Sequence, residues 1–155
     1  DSKNNYHIYG DKNNRFFKVH NNKHNLKFKG YIEYRKIRHE LSKMDILLMP
    51  YAKNIATGGN LGDITDFTSP LKMFDYLTAG KVIVSSDLPI LREILVNNKN
   101  VIYVKNFLNA NAWKLELIKI FNSQSKQIII SNNNIKLSDD FSLKRRAQKF
   151  LEGLN

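Results

Sequence analysis

The chain has 155 residues, 42% hydrophobic and 25% charged, a length and composition suited to one globular domain with an unaided core. It has no cysteine, which excludes a disulfide framework and any thiolate metal site. Its formal charge of +11, from 25 basic and 14 acidic residues, favours an anionic partner: nucleic acid, an acidic lipid surface or a phosphorylated small molecule.

Lysine and asparagine are abundant throughout, so part of that charge is set aside as compositional bias. No apolar run approaches a membrane span and no signal peptide opens the sequence, so a cytoplasmic location is expected.

Tyr6 to Tyr9 reads as a short buried strand stopped by Gly10 and Asp11. Residues 11–24 are polar and basic, with a short helix around Phe16, Phe17 and Val19. Leu26, Phe28 and Tyr31 give a second strand. Tyr34 to Met44 has helical spacing, with Ile37, Leu41 and Met44 on one face and Arg35, Lys36, Arg38 and Glu40 outside. Asp45 to Met49 is an apolar strand ended by Pro50. Strand, helix and strand in alternation predict a doubly wound, Rossmann-like parallel sheet with helices on both faces. Residues 51–68 form a long loop containing Gly58, Gly59, Gly62, Asp63 and Asp66. It follows the carboxyl end of a strand, the edge at which open parallel sheets bind ligands.

Ser69 is a good N-cap, and Pro70 stands at the first helical position, where its missing N–H costs nothing. Leu71, Phe74 and Leu77/Thr78 follow at helical spacing, and Gly80 tolerates a left-handed helix end. Val82 to Val84 is a continuous apolar run, as in a strand buried on both faces. Asp87 and Pro89 start another helix with Ile90, Leu91, Ile94 and Leu95 as its apolar positions. Val101 to Val104 is a strand. Ala110 to Phe121 is a helix with Trp113, Leu117 and Ile118/Phe121 inward. Ser123 to Asp139 is polar apart from Ile128 to Ile130, which fit a short strand or a helix edge. Phe141 to Leu151 is the last helix.

One residue breaks local rules. The third position after a Ser N-cap favours Glu or Gln, which completes a capping box and suits the helix dipole. Here it is Lys72. Two readings are open. Its ammonium and the free amides of Leu71, Lys72 and Met73 together suit a phosphate group; or it is a solvated lysine whose stem packs on the helix.

The run Ser69-Pro70-Leu71-Lys72-Met73-Phe74-Asp75-Tyr76-Leu77-Thr78-Ala79-Gly80-Lys81-Val82-Ile83-Val84 closely resembles a segment of nucleotide-sugar glycosyltransferases. The match is to the C-terminal, donor-binding domain of the retaining group-1 (family 4-like) enzymes with two-domain GT-B architecture. Asn25 to Tyr31, Leu41 to Pro50 and Phe141 to Leu151 are similar to further family segments in the same order. The resemblance implies a single nucleotide-sugar-binding domain over residues 1–155, a piece of a longer enzyme and inactive alone. The family's opening strand, glycine-rich turn and helix have no counterpart ahead of Tyr6, and its acceptor domain has none either.

The same resemblance implies site roles. Amides of Leu71 and Lys72, the successors of Pro70, would hold the donor's diphosphate, with Ser69 capping the helix and touching it. Asp75 stands where the family has the second acid of its E-x7-E pattern and would accept from the ribose hydroxyls. The first acid falls on Phe67, with Asp66 beside it. Tyr31 and Ile32 stand where the family's backbone meets the nucleobase. No residue is assigned to catalysis, and no metal or other cofactor is expected. The implied partners are a nucleoside diphosphate sugar, a glycan or lipid-linked acceptor, and an anionic membrane touched peripherally at its inner face.

Other residues point less far. His7, His20, His24 and His39 are scattered without metal-ligand spacing. Gly58 and Gly59 suit a phosphate cradle or simple turn chemistry. Arg35, Lys36 and Arg38 read as a solvated helix face, and Arg92 and Glu93 as surface charges. Phe16 and Phe17 among basic residues suit single-stranded nucleic acid. The alternative to an enzyme is therefore a non-enzymatic basic module binding nucleic acid or another polyanion, although no recognition motif accompanies it.

Overall fold

The structure, a computed structural model, describes residues 4–10, 24–51 and 71–153. The chain falls into two compact units, residues 1–39 and 40–155. The predicted helix around Phe16, the loop glycines, Asp66, Phe67, Ser69 and Pro70 lie outside the described residues.

In the first unit, β1 (Tyr6–Tyr9) pairs in parallel with β2 (Leu26–Gly30). Strand β2 alternates, with Leu26 and Phe28 half-buried and Lys27 and Lys29 exposed, the period-2 pattern of a sheet with one covered face. Strand β1 is half-buried along its whole length, less covered than its sequence predicts. The strand Leu26–Gly30 stops short of Tyr31, because Gly30 turns the chain with φ of +77°. Helix α1 (Tyr34–Ser42) then spans the division between the units. Leu41 is buried and Arg35, Lys36 and Arg38 are exposed, as its periodicity requires; Glu40 is half-buried and pairs with Lys43.

The second unit is built on three parallel strands in the order β3 (Ile46–Met49), β4 (Val82–Ser86) and β5 (Val101–Val104). The register aligns Leu48, Val84 and Ile102 on one face, and Met49, Ser85 and Tyr103 on the other. Helices α2 (Leu71–Thr78) and α3 (Pro89–Arg92) cover the face of Met49, Ile83, Val101 and Tyr103, through Met73, Leu77 and Leu91. Helices α4 (Ala110–Phe121) and α5 (Gln124–Asp140) cover the face of Val82, Val84, Ile102 and Val104, through Ile120 and Ile130. A last helix, α6 (Leu143–Glu152), follows. Fully burying each Leu, Ile, Val or Met contributes about 1.5–3 kcal/mol, so the three strands and their two helical covers supply most of the favourable term.

Several helical details differ from expectation. Leu71 is 78% exposed; the inward positions of α2 are Met73 and Leu77, with Phe74 half-buried against Phe141. Ile118 and Phe121 are exposed, and Ile120 fills the interior from α4. Of the two readings of Ile128 to Ile130, the helix holds and the strand does not: they lie in the 17-residue α5, whose buried positions are Ile130 and Asn134.

Helix α5 has little amphipathic signal because polar side chains do part of its docking. Asn134 is buried and its Nδ2 donates to the Lys81 carbonyl at 2.8 Å, just before β4. Asn133 donates to the Lys99 carbonyl at 3.0 Å, just before β5. On the opposite face, the buried end of Tyr76 donates its hydroxyl to the Leu48 carbonyl at 3.2 Å, tying α2 to β3.

Gly80 closes α2 as predicted, with φ of +62°. A Cβ there would stand 2.6 Å from Ile135 Cγ1 on α5. Left-handed backbone costs a non-glycine residue roughly 1–2 kcal/mol before any clash is counted. Gly80→Ala is expected to lower stability by about 1–3 kcal/mol in urea unfolding, and Ile135→Ala in the same chain to recover only the steric part.

Burial pushes the Tyr76 phenol up to about 12, with Tyr51 and Asp75 adding repulsion. An unfolded tyrosine ionises at about 10. Between these values the native state holds a proton that the unfolded chain has lost, so stability is full below the window and falls as pH rises through it. Urea midpoints recorded across about pH 10 to 12 should show this loss reduced in Tyr76→Phe.

Candidate functional site

The carboxyl edge of the second unit's sheet is assembled by hydroxyl groups. Ser85 and Ser86 end β4 and are fully buried, so each hydroxyl must find partners inside the protein. Ser85 Oγ lies 3.1 Å from the Met49 carbonyl and 3.1 Å from that of Ser86, so its single proton is shared between them. Ser86 Oγ accepts from the Tyr51 backbone N–H at 2.8 Å and donates to the Tyr51 carbonyl at 3.0 Å. A hydroxyl can do both at once. The chain leaving β3 is thereby fastened to β4 for two residues beyond the strand.

That fastening fixes Tyr51, whose half-buried ring stands beside the first turn of α2. The Lys72 ammonium lies over the ring, 5.8 Å from its centroid. Burial raises the Tyr51 phenol, which keeps the ring neutral. A cation at a helix amino end costs about 0.3–1 kcal/mol, and an exposed cation–π contact returns about 0.5–1 kcal/mol. The two nearly cancel. The structure therefore offers a third account of Lys72 beside the phosphate and packing readings: an aromatic ring holds it in place.

Leu71, Lys72 and Asp75 share the first turns of α2, with Leu71 and Lys72 exposed and Asp75 half-buried. Ser69 and Pro70 would precede them but lie outside the described residues. Tyr31, 81% exposed, and half-buried Ile32 follow β2 and belong to the first unit. Tyr51 and the two serines were not singled out from sequence. The available signal was a polar pair ending an otherwise apolar strand.

Asp87 and Arg92 also differ from expectation. The N-cap position of α3 is Leu88, and no side chain caps it. Asp87 is instead gripped by Arg92, with Nε to Oδ1 at 2.7 Å and Nη2 to Oδ2 at 2.6 Å. That forked pair raises the Arg92 pKa through its hydrogen bond and charge, so Arg92 is more than a surface charge. It braces the turn that follows β4. Among the described residues, no three His, Asp or Glu side chains gather where they could hold a metal ion. Nor, among the same residues, is any helix long and apolar enough to cross a membrane.

No curated protein matches the chain in sequence. Solved structures do match its fold. UDP-bound HepE (Alr3699) from Anabaena superposes with a TM-score of 0.70 at 14% identity, over 97% of this chain and 40% of its own. A glycosyltransferase from Rickettsia africae gives 0.66 at 17% identity, over 96% and 39%. The pneumococcal O-GlcNAc transferase GtfA, with UDP and GlcNAc, gives 0.64 at 13% identity, over 96% and 28%. The chain thus spans 40% or less of each of these structures. Such identities speak to fold alone, and that fold is the α/β architecture of GT-B glycosyltransferases. The model of the family "Glycosyl transferases group 1" matches residues 1–137, so the chain belongs to the group 1 glycosyltransferases.

Proposed function

We propose that this chain is the donor-binding part of a retaining glycosyltransferase. The enzyme moves a sugar, of hexosyl type, from a nucleoside diphosphate sugar to a glycan or lipid-linked acceptor during surface polysaccharide assembly. The observation that carries this reading is Lys72, a cation on the first turn of α2, held over an aromatic ring. Helix amino ends and strand carboxyl edges are where α/β folds receive phosphates. The family, and the UDP present in the HepE and GtfA structures, support a nucleotide-sugar donor.

In this reading the amides of Leu71 and Lys72, with Ser69 and Pro70 leading into them, hold the diphosphate. Asp75, one turn along, accepts from the ribose hydroxyls, and Tyr31 and Ile32 meet the base. An acceptor hydroxyl attacks the sugar's anomeric carbon, the bond to the diphosphate breaks, and the departing charge is stabilised by the helix end and the Lys72 ammonium. This chain's part in the chemistry is electrostatic, and it uses no metal. The basic charge of +11 suits work at the cytoplasmic face of an anionic membrane.

The test is a calorimetric titration of the full-length protein with UDP, GDP and ADP. One nucleotide should bind selectively, with Lys72→Ala weakening it about ten- to a hundredfold, the range for losing a charge-assisted hydrogen bond, and Asp75→Ala about tenfold. Equal indifference to all three nucleotides in the wild type would overturn the reading. For the membrane part, the full-length protein should sediment with vesicles containing phosphatidylglycerol at physiological salt and not with neutral ones.

A further inference from the structure

We infer that Tyr51 is a positioning residue: its ring, held by Ser86, sets the Lys72 ammonium for a diphosphate without neutralising it. This rests on the reading that Lys72 meets the donor. A lysine carries its charge on a flexible four-carbon stem, so a useful lysine has to be kept from wandering. Two kinds of partner can do that. A carboxylate holds the cation but cancels its charge. An aromatic face holds it and leaves the charge intact, with the ammonium's outer hydrogens still available.

Four of the described lysines show the two kinds of partner. Lys36, Lys43 and Lys119 each pair with a glutamate three residues earlier, within a helix or at its end. Lys72 is in none of those pairs and lies over Tyr51 instead, 5.8 Å from the ring centroid. The ring itself is not free to drift. Ser86 binds both the N–H and the carbonyl of Tyr51, at 2.8 and 3.0 Å, from a fully buried position on the central strand. Ring, serine and lysine come from β3's exit, β4's end and α2's start, the three elements that meet at the carboxyl edge. Because the serine grips backbone atoms, replacing the Tyr51 side chain removes the ring and leaves the chain path fastened.

The experiment has two independent arms on the full-length protein. In the first, lysine is labelled with 13C at Cε, and the Lys72 signal is assigned as the one lost in Lys72→Arg. Its ε-protons should lie upfield of the other lysines through the ring current, stay there in Tyr51→Phe and return in Tyr51→Leu. A Lys72 signal among the ordinary lysines of the unmodified protein overturns the proposal, whether or not the variants fold. In the second arm, inorganic pyrophosphate and UDP are titrated. Tyr51→Leu should weaken both roughly fivefold and Tyr51→Phe hardly at all. Tyr51→Leu combined with Lys72→Ala should bind no more weakly than Lys72→Ala alone. Additive losses would overturn the proposal. Should Lys72→Ala bind as well as the wild type while the ring shift is present, the donor reading falls and the ring–ammonium contact stands.

Discussion

A strand with no water on any side constrains everything around it. Strand β4 is hydrogen-bonded along both edges and covered on both faces, and each of its five residues is at most 1% exposed. Three of them are aliphatic and fill the two helical covers. The last two are serines, and a buried hydroxyl without a partner costs on the order of 1–3 kcal/mol. Those hydroxyls are satisfied by the chain leaving β3, which the sheet alone would release after Met49. The interior's demand for hydrogen bonds thus becomes a device on its surface. The same bonds that remove a penalty inside hold Tyr51 at the edge where Lys72 stands.

The two ends of the sheet are treated differently, and the difference follows from parallel pairing. All three strands point their carboxyl ends one way, so one edge collects strand exits and the start of α2. The other edge collects strand entries, and α5 closes it with amide side chains on the carbonyls of Lys81 and Lys99. Asn134 is fully buried there with its Oδ1 unpaired, which places a polar cost on the closing edge. Gly80 meets Ile135 on the same side, so a side chain at the end of α2 would push against α5. Packing by α5 thus closes the amino edge.

Much of this was legible in the sequence, and the reasons are local. Continuous aliphatic runs mark strands buried on both faces, which is why Val82 and Val101 begin strands as expected. Glycine punctuates, so the end of α2 and the left-handed Gly80 followed from a single residue. What escaped depends on contacts distant in sequence. The length of α5 was hidden because asparagine docks it, and asparagine in a sequence reads as a turn or loop. Asp87 reads as the start of a helix until Arg92, five residues on, is seen to fold back on it. Nothing near Tyr51 in the sequence announces Ser86, 35 residues later.

Lys72 is the point at which local rules and the fold disagree, and the disagreement has a sign. A sequence shaped only for stability would place Glu there, completing the cap and gaining from the dipole. A lysine forgoes both, and the protein recovers about as much by laying the ammonium on Tyr51 as it loses at the helix end. The balance near zero matters for binding. A cation sunk in a strong ion pair would have to be extracted before it could meet an anion, and a cation in open water would have to be immobilised. Resting on a neutral ring, Lys72 avoids most of both penalties, and on the proposed donor-binding reading an arriving diphosphate would gain from the helix amides and the ammonium together.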